Sequence, residues 1–230
     1  MNLGYNIIRE LLTESVIKKI IVVYPGRFQP MAKHHAEVYG KLAKTFGEQN
    51  TFVVTSNKVS LPKSPLSFKE KEQIINAHGI KNVIQVKNPY TPVELLDRYN
   101  PETTAVLFAV GKKDMSDDPR FKVGQKKNGE PTYFQYYNEH KRALQPYKNH
   151  GYLIVAPHVS INVPGLGDLS GTVARKVLAT GGQEEFEQIM GFWDESIFEM
   201  LKDRFNSLVH EVLQKFLSII NIKKIITESN

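Results

Sequence analysis

Five short apolar runs recur along the chain, at Lys19–Tyr24, Thr51–Ser56, Asn82–Val86, Thr104–Val110 and Tyr152–Ala156. Each is rich in β-branched residues and has no polar side to leave in water. Strands buried on both faces of a parallel sheet read this way. Between them the apolar spacing lengthens to three and four, predicting helices over His35–Phe46, Ser67–His78 and Thr91–Tyr99. Ser67 followed by Glu70 has the form of a capping box. Thr91, Pro92 and Glu94 repeat the pattern as cap, first helical residue and closing acid. Strands alternating with helices predict an α/β fold, a Rossmann-like doubly wound parallel sheet of about five strands.

The rest of the pattern is less regular. Gly111–Pro131 is polar, rich in glycine and lysine, and reads as a long loop. Tyr133, Tyr136 and Tyr137 beside Lys126, Lys127, Lys141 and Arg142 read as a packed helix with a basic face. After a connection over Pro157–Leu169, a helix is predicted from Ser170 to Ala179, ended by Gly181-Gly182. A longer helix starts near Asp194, where Ile197, Leu201, Phe205, Leu208, Val212 and Phe216 form one apolar stripe for core or subunit contact. Leu3–Leu12 predicts a small amphipathic helix. The expected organisation is an N-terminal helix over 1–18, an α/β domain over 19–180, and a helical extension over 181–230 packed on that domain.

Composition narrows the chemistry. With 41% apolar and 23% charged residues, the 230 residues can bury a core without staples. There is no cysteine, which excludes disulfides, thiolate metal sites and a cysteine nucleophile. The acid-bearing start MNLGYNIIRELLTES lacks the apolar core of a secretory signal, and no run approaches the ~20 apolar residues of a membrane helix. A cytoplasmic protein with no membrane partner is expected. The net charge is +6, and Gly111–His150 carries nine Lys and Arg against five Asp and Glu. A basic balance suits nucleotides or nucleic acid, although a solvated basic surface explains it equally, and nucleic acid is the weaker of these partners.

The sharper signals stand at element ends, where open parallel sheets bind ligands. Pro25-Gly26-Arg27-Phe28-Gln29-Pro30 follows the first strand. Gly26 lets a backbone approach a phosphate closely, and the helix after it turns its amino end toward an anion. A histidine in that first turn, His34 or His35, can donate to a phosphate oxygen and, protonated, offset charge that develops at phosphorus. His78, His140, His150, His158 and His210 are scattered without metal-site spacing.

Four segments in order carry a resemblance. GRFQPMAKHHAEVYGKL resembles the GRFQPFHxGH segment of the cytidylyltransferase-like superfamily, notably the nicotinamide-nucleotide adenylyltransferases and their relatives in tailed phages. Thr55-Ser56-Asn57-Lys58 running into SPLSFKEKEQII is similar to its TS…SPFSFEER segment. Val110-Gly111-Lys112-Lys113-Asp114, with Arg120-Phe121, is similar to VGxKD..RF, and Leu169-Ser170-Gly171-Thr172-Val173-Ala174-Arg175 to ISGTxVR. GGQEEFEQIMGFWDESIFEML resembles the helical tail of the phage-type members. The resemblance covers about Ile20 to Phe205.

The resemblance implies that His35 contacts the α-phosphate, with Arg175 as the second catalytic residue. Ser170 and Thr172 would join Arg175 on the triphosphate. Gly26, Arg27, Phe28, Gln29, His34, Gly111 and Asp114 would line the nucleotide pocket. It implies nucleotidyl transfer from ATP or CTP to a small phosphorylated acceptor, with NMN the first choice, release of pyrophosphate, and magnesium as companion ion. Two positions depart from the motif. Ala32 stands for its first histidine and cannot donate, a loss worth about 3–4 kcal/mol at a transition state. His34 stands for its glycine and crowds the nucleotide. These departures motivate an alternative, a catalytically silent member that works through a protein partner, for example as an inhibitor of a phage prohead protease in the host cytoplasm. Nucleic-acid binding through Lys112–Lys148 is a further alternative, with a steep salt dependence as its mark.

Overall fold

The computed structural model describes residues 16–115, 121–156, 162–163, 167–168 and 170–207. In chain order the elements are β1 (Lys19–Pro25), α1 (Lys33–Phe46), β2 (Thr51–Thr55), α2 (Phe68–Ala77), β3 (Val83–Gln85), α3 (Val93–Leu96) and β4 (Thr104–Gly111). β5 (Phe134–Tyr136), α4 (Tyr137–His140), β6 (Gly151–Ala156), β7 (Asn162–Val163), β8 (Gly167–Asp168), α5 (Gly171–Thr180) and α6 (Gln183–Met190) follow. A last helix, α7, runs over 195–207. The expected helix at Leu3–Leu12, and Leu208, Val212, Phe216 and the residues after them, lie outside the described residues.

The described residues form two compact units. One draws on Met1–Gly26, Val38–Thr55 and Asn82–His158, the other on Arg27–Glu37, Ser56–Lys81 and Val159–Asn230.

The first unit holds a six-stranded sheet of order β3-β2-β1-β4-β6-β5, every pairing parallel. β1 lies between β2 and β4, so the strand order reverses there, the switch point of a Rossmann-like α/β fold. The five apolar runs become β1, β2, β3, β4 and β6 within a residue or two of their expected ends. Ile21, Val23, Val54, Val106, Phe108 and Leu153 pack one buried face. Val22, Val53 and Leu107, of opposite parity, are buried as well, as a doubly covered sheet requires.

Two expectations are corrected in this unit. Beside the five expected strands the sheet gains a sixth, β5, which is only three residues long and carries no alternation to reveal it. Its register comes from β6, with Phe134 opposite Gly151, and from Phe134 stacking edge-on against Phe108 and Phe121 at 5.5 and 4.7 Å. The helix expected around Tyr133–Arg142 is therefore this strand followed by the single turn α4. The box expected at Thr91 does not form either. Helix α3 is capped at Pro92 without a side-chain bond, and the Glu94 carboxylate accepts the Lys87 N–H at 2.8 Å instead.

The second unit is mainly helical. Its core includes Leu66, Ile74, Ile75, Val177, Leu178, Phe186, Ile189, Met190, Ile197, Leu201 and Phe205, all buried. Ile197, Leu201 and Phe205 are the described part of the expected stripe. The Ser67–Glu70 box is closed, and α5 ends at Gly181, whose N–H reaches the Val177 carbonyl at 2.7 Å. A β-carbon at Gly181 would lie 2.8 Å from that oxygen, so the stop signal rests on close approach. β7 and β8 form a small antiparallel pair inside the segment expected to be a plain connection.

Candidate functional site

A pocket of about 470 Å3 opens within the second unit, a volume suited to a small-molecule ligand. Two stretches supply most of its wall. One is Arg27–Pro30 with Ala32, His34 and His35; the other is Ser170–Thr172 with Ala174 and Arg175; Lys63 completes it. Three of these residues are cations and none is an acid.

The first stretch is shaped by buried clamps. Phe28 sits at φ 43, a strained angle for a residue with a side chain, and its ring is buried with its edge to His35 at 5.6 Å. The Gln29 amide accepts the Leu66 N–H at 2.8 Å and donates to the Leu66 carbonyl at 3.1 Å. Gln29 was expected on the nucleotide; its side chain instead ties one loop to another, and its backbone carbonyl accepts the Arg175 guanidinium at 3.2 Å. The turn conformation expected of Gly26 belongs to Phe28, for Gly26 has no positive φ and its N–H is committed to the Val54 carbonyl at 3.1 Å.

Helix α1 begins at Ala32, whose carbonyl accepts the His35 N–H at 2.9 Å. The His35 Nδ1 returns the bond, accepting the Ala32 N–H at 3.1 Å. A backbone amide only donates, so Nδ1 carries the lone pair and the ring proton sits on Nε2. Burial, reinforced by the neighbouring His34 and His78, pushes the His35 pKa from 6.5 down to about 3. The imidazole is neutral at ordinary pH. His34 lies against it, ring centroids 3.8 Å apart. His78, expected to be structural, donates through Nε2 to the Met31 carbonyl at 3.0 Å, and burial pushes its pKa down.

The second stretch is the start of α5. Ser170 caps it, its hydroxyl accepting the Val173 N–H at 3.2 Å, and the first turn holds no acid. The Arg175 guanidinium also reaches the Thr172 hydroxyl at 3.4 Å. Burial and the charge of Arg27 press the Arg175 pKa below its ordinary value. Two guanidinium groups held this close call for an anion.

Arg27, Phe28, Gln29, His34, His35, Ser170, Thr172 and Arg175 are thus brought to one pocket. Gly26 and Gly111 do not line it, and Gly111 closes β4 opposite Ala156; the Asp114 side chain lies outside the described residues. Lys63 escaped the sequence reading. It rides on a tight loop closed by Ser60 and Ser64, which exchange backbone bonds of 2.8 and 2.7 Å. Nothing in the SPLSFKEKEQII resemblance marked the lysine before it as facing a pocket.

The lining fits phosphate oxygens better than a metal ion. Among the described residues it offers amides, hydroxyls and cations but no carboxylate, and no group of three His, Asp or Glu could hold a metal. A wider cavity of about 1230 Å3 in the first unit is lined in part by Lys18, Lys19, Lys141 and Arg142. It lies at the amino end of β1, away from the strand ends where such sheets bind ligands.

No protein-family profile and no curated protein sequence matches the chain. Among solved structures it is similar to a bifunctional NMN adenylyltransferase/ADP ribose pyrophosphatase from Francisella tularensis complexed with AMP and Mn ion. The TM-score is 0.48 and the identity 13%, over 91% of this chain and 56% of that one. The chain thus spans little more than half of that protein. It is also similar to a Plasmodium falciparum nicotinic acid mononucleotide adenylyltransferase complexed with NaAD, at TM-score 0.47 and 16% identity, over 82% of this chain and 95% of that one.

Proposed function

We propose that this chain is a nucleotidyltransferase that moves a nucleotidyl group from ATP or CTP to a small phosphorylated acceptor, NMN being the first to try. The observation that carries this reading is the convergence of Arg27, Lys63, Arg175 and the amino end of α5 on one acid-free pocket. Guanidinium forks and helix-terminal amides suit a polyphosphate. In the reaction an acceptor phosphate oxygen bonds to the α-phosphorus. The bond to the bridging oxygen breaks, and its electrons leave with pyrophosphate. No covalent enzyme intermediate is needed, so the protein's part is to position the reactants and offset charge. Arg175, anchored on the Gln29 carbonyl and Thr172, would grip the phosphates, with Ser170 and Thr172 beside it. Magnesium finds no carboxylate in this lining and would arrive with the triphosphate.

The test is thermal unfolding with ATP or CTP, with and without magnesium, in wild type and Arg175→Ala. A triphosphate at about 100 times its Kd stabilises by about 2.7 kcal/mol. A shift with one triphosphate that Arg175→Ala abolishes supports the reading and names the base; no shift with either at millimolar concentration overturns it.

A second reading draws on Ala32. Its methyl group offers no donor, and its N–H is taken by His35. The chain would then hold a nucleotide without turnover and act through a protein partner. Restoring the motif with Ala32→His and His34→Gly separates the two. Pyrophosphate release that appears only in the double variant favours the silent reading, and turnover by wild type excludes it.

A further inference from the structure

We propose that His35 serves the pocket as a neutral donor, locked in its Nε2–H tautomer by the Ala32 amide, and never acts as an acid. The proposal rests on the nucleotidyltransferase reading only for the identity of the anion that Nε2–H would meet.

The lock is a helix cap in an unusual form. An ordinary capping box pairs an N-cap hydroxyl with a Glu or Gln three residues on, whose side chain accepts the N-cap amide. At α1 the N-cap is Ala32, which has no hydroxyl, and the residue three on is His35. Its Nδ1 takes the acceptor's part at 3.1 Å, while the Ala32 carbonyl accepts the His35 N–H at 2.9 Å. Protonating Nδ1 would set two donors against each other and undo the cap. The ring also packs against Phe28, perpendicular at 5.6 Å, and against His34, tilted at 3.8 Å.

Burial and the two neighbouring histidines, His34 and His78, disfavour a positive charge on this ring and outweigh the backbone of Ala32, which acts the other way. Arg27, Lys63 and Arg175 line the same pocket without a carboxylate. The chemistry does not need an imidazolium either. A phosphate nucleophile is already anionic at neutral pH, so a fixed donor suffices and no proton has to move. One residue thereby performs two tasks, fixing the first turn of α1 and presenting an N–H, and its helix-capping bond decides which nitrogen presents it.

The test reads the ring directly. Imidazole nitrogen spectra of the full-length, ligand-free protein would be followed from about pH 5 to about pH 8, the range in which ordinary histidines titrate. The His35 signals are assigned as those missing in His35→Gln. The expected result is an unprotonated Nδ1, a protonated Nε2 and no titration across the range. A titration near the ordinary histidine value, or a proton on Nδ1, overturns the proposal. A second arm compares triphosphate binding in two variants. Gln can accept the Ala32 amide and still donate, so His35→Gln should hold ATP or CTP affinity within about threefold. His35→Phe, which can do neither, should lose about tenfold or more. Gln as weak as Phe overturns the proposal. If wild type binds neither triphosphate nor inorganic tripolyphosphate, the nucleotidyltransferase reading falls, and the spectrum still decides the tautomer.

Discussion

Two helix starts in the second unit solve the same problem in opposite ways. At α2 the orphan amides and the positive end of the dipole meet an anion supplied by the chain. The Glu70 carboxylate accepts the Ser67 N–H at 2.7 Å and its hydroxyl at 2.6 Å, and its other oxygen takes Arg204 at 2.6 and 2.9 Å. At α5 the cap is Ser170 alone, no acid stands in the first turn, and Arg175 is brought in from the second. The α2 start is electrostatically complete. The first turn of α5 holds no acid, so a phosphate that would be redundant at α2 is complementary there.

The largest effect that would sharpen this contrast is Arg175→Ala. A charge-assisted bond to phosphate is worth about 1.5–3 kcal/mol, so triphosphate affinity should fall by roughly 10- to 100-fold, measured by calorimetric titration. An unchanged affinity would break the comparison. Next comes Glu70→Gln, which should cost about 1–2 kcal/mol of stability through the cap and the Arg204 pair. That is a drop of several degrees in Tm with triphosphate affinity intact. A loss of affinity equal to that of Arg175→Ala would show that the two starts are not independent.

Ser170→Asp transplants the α2 solution onto α5. Aspartate caps as well as serine, so the unfolding free energy should hold within about 0.5 kcal/mol, while the added charge should weaken triphosphate binding about fivefold. Binding as tight as wild type would mean that phosphate does not sit at this helix end.

The remaining effect is on the acid limb of stability. Burial alone would raise the Glu70 carboxyl, but the bonds from Ser67 and Arg204 outweigh it and hold the pKa below 4.5. Its contribution is full above 4.5 and is lost as pH falls through the lower folded value. His35 acts earlier. Its folded pKa of about 3 lies below the ordinary 6.5, so the unfolded chain takes up a proton that the folded one refuses. Stability should fall below pH 6.5 by up to about 1.4 kcal/mol per pH unit. Urea melts across the range check both, since Glu70→Gln should remove only the lower limb and His35→Gln only the upper.

The sheet was legible because its strands are locally redundant. Five apolar β-branched runs, each with no polar face, admit few other fates, and Ser67 with Glu70 announced a helix start that the structure closes. What escaped lacked a local signature. β5 is three residues whose strand conformation depends on β6 and on two phenylalanines distant in sequence. Thr91 and Glu94 spelled a box, yet the Lys87 amide took the acid. Gln29 looked like a ligand contact because it stands in the GRFQP stretch that resembles a nucleotide-binding motif, but Leu66 claims both ends of its amide.

By itself, then, the sequence determined the α/β class, most strand positions, the helix that Ser170 starts and the set of residues worth watching near phosphate. Only the tertiary structure decided which of them meet. It brought Lys63 beside Arg27 and Arg175, set Gly26 into the sheet, and turned His35 back onto Ala32. The reason is range. Periodicity and caps are decided within a turn or two of chain. The sharing of one donor or acceptor among rivals is decided by groups tens of residues away, and each such group can be satisfied only once.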